Sequence, residues 1–120
     1  MLNDSQVSRL LDIANAGCHK GMVLEARTIY EGILAVRPGH VPALIGQAFS
    51  HIVIGEYEQA EAMLRTEDIC EDSDARAMLG LCLCLSEKKD EAREVLLPLA
   101  EEEGSAAAMA RSLLEKMEQE

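Results

Sequence analysis

Hydrophobic residues recur at every third or fourth position along most of the chain, which is the period of an amphipathic α-helix. No segment shows the sustained alternation of apolar and polar residues that is typical of a half-buried strand. The pattern predicts seven helices, at about residues 4–18, 22–36, 42–54, 57–65, 74–85, from 90 onward, and 105–117. The sequence therefore predicts an all-α protein.

Prolines, glycines and polar residues mark where these helices begin and end. Residues 37–39 (Arg-Pro-Gly) stop the second helix, and Pro42 suits the first turn of the third. The stretch 66–74 carries five acidic residues and reads as a loop. Pro98 is expected to kink the sixth helix or to end it early, which would leave the glutamate run 101–103 outside.

Side chains that can cap helices precede three of the predicted segments. Asp4 or Ser5 is expected to cap the first helix. Asp72 or Ser73 is expected to cap the fifth. Residues 104–105 (Gly-Ser) are expected to break the chain and to cap the seventh.

One short phrase occurs three times and relates the helices to one another. It occupies residues 21–27, 55–61 and 87–93. Each copy follows an apolar helical stretch and leads into a second one, and each contains a small residue, Ala26, Ala60 or Ala92, at the same place. A period of about 34 residues indicates stacked helix pairs, as in a repeat solenoid.

Composition and charge exclude several classes of function. A chain of 120 residues is expected to form one domain. Its net charge of −11 argues against binding to nucleic acid and to anionic membranes, because 11 basic residues lie scattered among 22 acidic ones. No export signal and no apolar run of membrane-spanning length is evident, so a cytoplasmic protein with reduced cysteines is expected.

No pattern of residues indicates an enzyme, a metal site or a cofactor. The three histidines have no metal-type spacing, and the four cysteines include no CxxC pair. Cys82 and Cys84 lie in an apolar stretch, where a thiol is expected to be a hydrophobic residue rather than a nucleophile.

The spacing of small residues resembles the tetratricopeptide repeat, a helix–turn–helix unit of 34 residues. Units that start at Val7, Val41 and Ser73 place the family's small, alanine and closing positions at Ala14, Ala26 and Pro38; Ala48 and Ala60; and Gly80 and Ala92. The resemblance covers residues 7–104 and implies three repeats, at about 7–40, 41–72 and 73–104, followed by a C-terminal helix at 105–118. The family's tryptophan is absent, and the second unit is two residues short and lacks the closing proline.

The resemblance implies a concave groove lined by the first helix of each repeat. Few basic residues fall at the groove positions, unlike the carboxylate clamp of the tetratricopeptide domains that hold chaperone C-termini. The partner-binding residues expected on this basis are Leu11, Asn15, Cys18, Ile45, Phe49, Ile52, Val53, Ala77, Leu81, Cys84 and Leu85.

The helix at 75–85 is apolar nearly all round, and such a helix is buried on every side. An amphipathic helix of a partner protein could cover its groove side. A homodimer through the same surface, or the C-terminal helix folded back into the groove, are the alternatives.

A narrower resemblance is to the small tetratricopeptide chaperones of bacterial type III secretion, and among them to the needle-subunit chaperones. Residues 17–19 (Gly-Cys-His) ahead of 25–26 (Glu-Ala), and the helix that contains residues 77–82, carry it. It implies a cytoplasmic bacterial protein that sequesters the apolar C-terminal helix of a needle-type subunit and prevents its polymerisation, with a small helical co-chaperone as a further partner. A generic scaffold or co-chaperone module that links two proteins is the alternative.

Overall fold

The computed structural model describes residues 2–119 and is helical throughout, with no strand in that range. Its helices are α1 (Asp4–His19), α2 (Val23–Val36), α3 (Val41–Val53), α4 (Tyr57–Leu64), α5 (Ser73–Leu85), α6 (Lys89–Ala100) and α7 (Ser105–Glu118). The prediction of an all-α protein is confirmed, and each helix lies where the hydrophobic period places it.

The helices form two compact units, the first ending at Glu56 and the second beginning at Tyr57. In the first unit α1, α2 and α3 all contact one another. In the second unit α5 contacts α4, α6 and α7, and α6 also contacts α7. The single domain over residues 1–120 with its three repeats stays a prediction.

The helices begin and end where the local residues predict, but two of the predicted caps are wrong. Pro42 lies in the first turn of α3, and Asp72 caps α5 by accepting a hydrogen bond of 3.0 Å from the amide of Ala75. The cap of α1 is Asn3, not Asp4 or Ser5, because Asn3 and Gln6 exchange side-chain to backbone hydrogen bonds of 2.9 Å. The residue that precedes α7 is Gly104, and no side chain caps that helix.

Pro98 lies inside α6, and the helix continues for two residues beyond it. The helix stops at Ala100, and residues 101–103 lie outside it. The acidic stretch after α4 is a series of turns up to residue 71, and buried Ile69 fastens it to the protein.

The three copies of the phrase begin with the same turn. At each one an amide donates to the carbonyl five residues earlier, from Met22 to Gly17 and from Glu56 to His51 at 2.8 Å, and from Lys88 to Leu83 at 2.9 Å. This bond closes a helix when the preceding residue is left-handed. That residue is glycine in the first two turns, with φ of 84° and 82°, but Glu87 in the third, with φ of 64°.

Glu87→Gly is therefore expected to stabilise the protein. A side chain in the left-handed region costs about 1–2 kcal/mol. Glycine has greater conformational freedom in the unfolded chain, which offsets part of this difference, so a net stabilisation of about 0.5–1 kcal/mol is expected. The mirror change Gly55→Ala should destabilise by about 1 kcal/mol, although nothing lies within 4 Å of the added carbon. Urea denaturation of both variants measures the effect, and equal signs would contradict the account.

Small residues allow the helices to touch. The repeated alanines Ala26, Ala60 and Ala92 are buried, as are Ala14, Ala48 and Gly80, which the repeat places opposite them. Their role in packing is confirmed by this burial. A carbon added at Gly46 would overlap Cε1 of the Tyr30 ring, and one added at Gly80 would overlap Cδ2 of Leu96.

Gly46→Ala should destabilise the first unit by about 1–3 kcal/mol, because the Tyr30 ring is rigid and fully buried. Gly32→Ala is the matched control, since Gly32 is also inside a helix of this unit but nothing lies within 4 Å of its added carbon. Helix propensity alone would stabilise the control by about 0.5–1 kcal/mol. Thermal or urea unfolding should give opposite signs, and stabilisation by Gly46→Ala would show that α2 and α3 do not approach closely.

Candidate functional site

The predicted groove residues of α1 lie at the edge of the first unit's core. Cys18 is fully buried, and burial raises the pKa of its thiol. Leu11 and, from α3, Phe49 are half-buried and pack against the same core cluster. The ring of Phe49 also lies against that of His19, with centroids 4.9 Å apart. The structure thus brings Leu11, Cys18 and Phe49 together.

The side chain of Asn15 is hydrogen-bonded to a buried tyrosine, Tyr30. The hydroxyl of Tyr30 donates a hydrogen bond of 2.5 Å to Asn15 Oδ1. Tyr30 is fully buried, and this desolvation raises the pKa of its phenol. Asn15 is half-buried, and its carbonyl oxygen already accepts one strong hydrogen bond, so its amide group is the part left to interact with another molecule.

The remaining groove residues of the first unit lie along α3. Ile45 is half-buried and Ile52 is buried. Val53, in contrast, is 38% exposed, and the next residue, Ile54, is 50% exposed. The C-terminal end of α3 therefore presents two adjacent β-branched side chains to solvent.

In the second unit, three neighbouring helices cover most of the apolar surface of α5. Six of its residues are buried against α4, α6 and α7, and Ala77 is among them. Leu81 and Cys84 are half-buried, while Leu85 is 48% exposed. The bare helix face that the sequence predicts is thus reduced to its C-terminal part.

The contact of α7 with α5 covers part of the apolar surface of α5. The hydrophobic pattern of the sequence did not predict this contact. The sulfur of Met117 lies 3.4 Å from that of Cys84. The apolar side of α7 did signal that it packs on something, but not on which helix. Of the three alternatives for covering α5, packing by the C-terminal helix therefore accounts for a part near Cys84.

Sequence reasoning also missed a polar cluster between α2 and α3. Arg27 Nε donates to the hydroxyl of Ser50 at 2.9 Å, and Ser50 donates in turn to the backbone carbonyl of Gln47 at 2.6 Å. Ser50 is fully buried, so both of these bonds offset its desolvation. Arg27 Nη2 also donates to Glu56 Oε1 at 3.0 Å. The cluster thus connects α2 to α3 and to the turn that follows α3.

The position of Glu56 fixes the proton on His51. His51 Nδ1 lies 2.7 Å from Glu56 Oε1 and 2.9 Å from Arg27 Nη2. A carboxylate only accepts and a guanidinium only donates, so Nδ1 cannot satisfy both partners. The shorter distance to Glu56 favours the tautomer in which Nδ1 donates to that carboxylate. Hydrogen bonds from His51 and Arg27 hold the pKa of Glu56 below its ordinary value.

The second unit has an open cavity of about 430 Å³ beside the short helix α4. Leu79, Val95 and Pro98 provide its apolar part, and Arg65 and Arg76 its basic part. Both arginines are already paired, since Arg65 Nε lies 3.0 Å from Glu61 and Arg76 Nη1 lies 2.7 Å from Glu102. Glu94 lines the cavity as well, so its wall carries charges of both signs.

Within residues 2–119, no group of three or more His, Cys, Asp or Glu side chains is placed to hold a metal ion. The same part of the chain contains no helix that combines the length and the apolar character needed to cross a membrane. No protein-family model matches the chain, and no curated protein matches it.

Glu56 is expected to make stability depend on pH in the acid range. Because its pKa is lowered on folding, its contribution is complete above the ordinary glutamate pKa of about 4.3 and is lost as the pH falls through the lowered value. Glu56→Gln should therefore reduce the free energy of unfolding at neutral pH and reduce it less at acid pH. Glu31→Gln, an exposed control on α2, should give only a small difference in the same measurement. A pH-independent deficit for Glu56→Gln would contradict the assignment.

Proposed function

We propose that the chain is a tetratricopeptide-like chaperone that binds an apolar amphipathic helix of a partner protein and keeps that partner from assembling. The protein acts by binding rather than by catalysis. The partner is a needle-type subunit of bacterial type III secretion, and the site of action is the bacterial cytoplasm. A small helical co-chaperone is a further partner on this proposal.

Two features support a tetratricopeptide-like arrangement of the helices. The turns at Gly21, Gly55 and Glu87 have the same hydrogen bonds and the same left-handed residue, and they are 34 and 32 residues apart. In addition, the residues at the family's small and alanine positions are all buried. Both features recur at the period of the repeat, as expected if each helix pair is one repeat in a stack.

The exposure of the groove positions carries the proposal of a binding surface. One predicted groove position, the ninth of each repeat counted from Val7, Val41 and Ser73, is half-buried in all three repeats, at Asn15, Phe49 and Leu81. The thirteenth position of each repeat is exposed, at His19, Val53 and Leu85. Four of these six side chains are apolar. Residues that are apolar and partly accessible at equivalent places suit an extended apolar ligand rather than a small one.

An amphipathic helix fits such residues because it repeats its apolar side chains every three or four residues. Covering one large apolar side chain contributes about 1.5–3 kcal/mol, so a few anchors offset the cost of association. The same contact would bury the apolar face through which the partner otherwise assembles with copies of itself.

Val53→Asp and Leu85→Asp should abolish partner binding without unfolding the protein, because both side chains are partly exposed. Leu24→Asp and Leu97→Asp are the matched controls, being 74% and 55% exposed on α2 and α6, away from the groove positions. The tagged protein would capture its partner from the native cytosol, and the identified partner would then be coexpressed with each variant. We expect a 1:1 complex by light scattering for the wild type and both controls.

Three outcomes would contradict the proposal. Retention of the partner by Val53→Asp and Leu85→Asp would place binding elsewhere. A wild-type homodimer that these variants dissociate, with no captured partner, would favour self-association through the same surface. Capture of two folded proteins that bind each other through the chain would favour the generic scaffold.

A further inference from the structure

Almost all of the net negative charge of the chain lies in the second unit. Residues 1–56 carry five acidic and four basic side chains, a net charge of −1. Residues 57–120 carry seventeen acidic and seven basic side chains, a net charge of −10. A field of this size around one unit raises the local concentration of cations and repels anions.

Part of this negative charge surrounds the exposed end of α5. Because Cys84 contacts Met117, the C-terminal ends of α5 and α7 lie side by side. The aligned peptide dipoles of a helix give its C-terminus a partial negative charge of up to about half an electron. Exposed Glu87 follows Leu85 by two residues, and exposed Glu118 follows Met117 directly.

The nearby lysines offset this charge only in part. Lys88 Nζ lies 2.9 Å from Glu61 Oε1, and this hydrogen bond and charge raise the pKa of Lys88. Glu61 of α4 is shared between Lys88 and Arg65, and Lys89 makes an interaction of its own. Lys116 lies in the last turn of α7 between Glu115 and Glu118, and it offsets the charge of one of them. Leu85 is therefore an exposed apolar side chain at one helix C-terminus, with exposed Glu87 two residues further on and exposed Glu118 at the neighbouring end of α7.

We propose that the partner helix is basic, with a lysine or arginine beside the apolar residue that contacts Leu85. This inference rests on the proposed function, since it specifies the chemistry of the helix bound there. The apolar contact provides affinity, and the charges select the partner and speed its association. A helix with glutamates beside its apolar face meets like charge at the ends of α5 and α7 and is rejected.

Two synthetic peptides separate charge from apolar contact. Both have about 18 residues, or five helical turns, with leucine at the same positions along one face. One has lysine and the other glutamate at every remaining position, and both are labelled with a fluorophore. Fluorescence anisotropy with the full chain should show about tenfold tighter binding of the lysine peptide at about 0.1 M salt, a preference that shrinks at about 1 M, where screening is stronger.

Variants that remove acidic charges show which part of the protein causes the preference for the lysine peptide. The double variant Glu87→Gln with Glu118→Gln should weaken the lysine peptide by about two- to tenfold, the sum of two exposed ion pairs. The control, Glu25→Gln with Glu31→Gln, removes the same charge from α2 of the first unit and should change binding less. Leu85→Asp should abolish binding of both peptides at about 1 M salt, where the apolar contact dominates.

The outcomes distinguish this inference from the proposed function. Equal binding of both peptides, with loss on Leu85→Asp, would overturn the inference and leave helix binding intact. Equal weakening by the two double variants would show that total charge, rather than the ends of α5 and α7, selects the peptide, and would overturn it too. Binding of neither peptide, or binding unaffected by Leu85→Asp, would count against the proposed function itself.

Discussion

Close approach of helices at small residues is the constraint on which the rest of the structure depends. The chain has no tryptophan and only 2% aromatic residues, so its core is built from short aliphatic side chains. Such side chains reach one another only if the helix backbones are near, and the buried alanines at 26, 60 and 92 permit this. At Gly46 even a methyl group is too large, because the Tyr30 ring occupies its place. The core therefore has little tolerance for added volume at these points.

The sequence predicted what is local and missed what depends on contacts between distant segments. The helices follow from hydrophobic period, and the start of α3 follows from Pro42, because each signal acts within a few residues. Asn3 was missed as a cap because Asp4 and Ser5 are equally good capping residues, and only backbone geometry distinguishes them. The contact of Cys84 with Met117 spans 33 residues, and no pattern in either segment encodes it.

The exposure of the candidate groove residues was only partly predictable from the repeat. Phe49 and Leu85 are partly exposed at these positions, whereas Cys18, Ile52 and Ala77 are buried. The exposure of each one depends on neighbours that a period does not reveal, which is why Cys18 and Ala77 are buried while Val53 and Leu85 are not. The polar cluster of Arg27, a feature of the assembled helices, could not be anticipated either.

The two tyrosines provide separate spectroscopic reporters of the two units. Tyr30 lies in the first unit, fully buried and hydrogen-bonded to Asn15, whereas Tyr57 begins the second. With no tryptophan in the chain, replacing either tyrosine by phenylalanine leaves a fluorescence signal from one unit alone. For each variant, the tyrosine curve would coincide with the helical signal in far-ultraviolet circular dichroism if the units melt together and would separate from it if they do not. The scarcity of aromatic residues that limits the core thus makes its cooperativity directly observable.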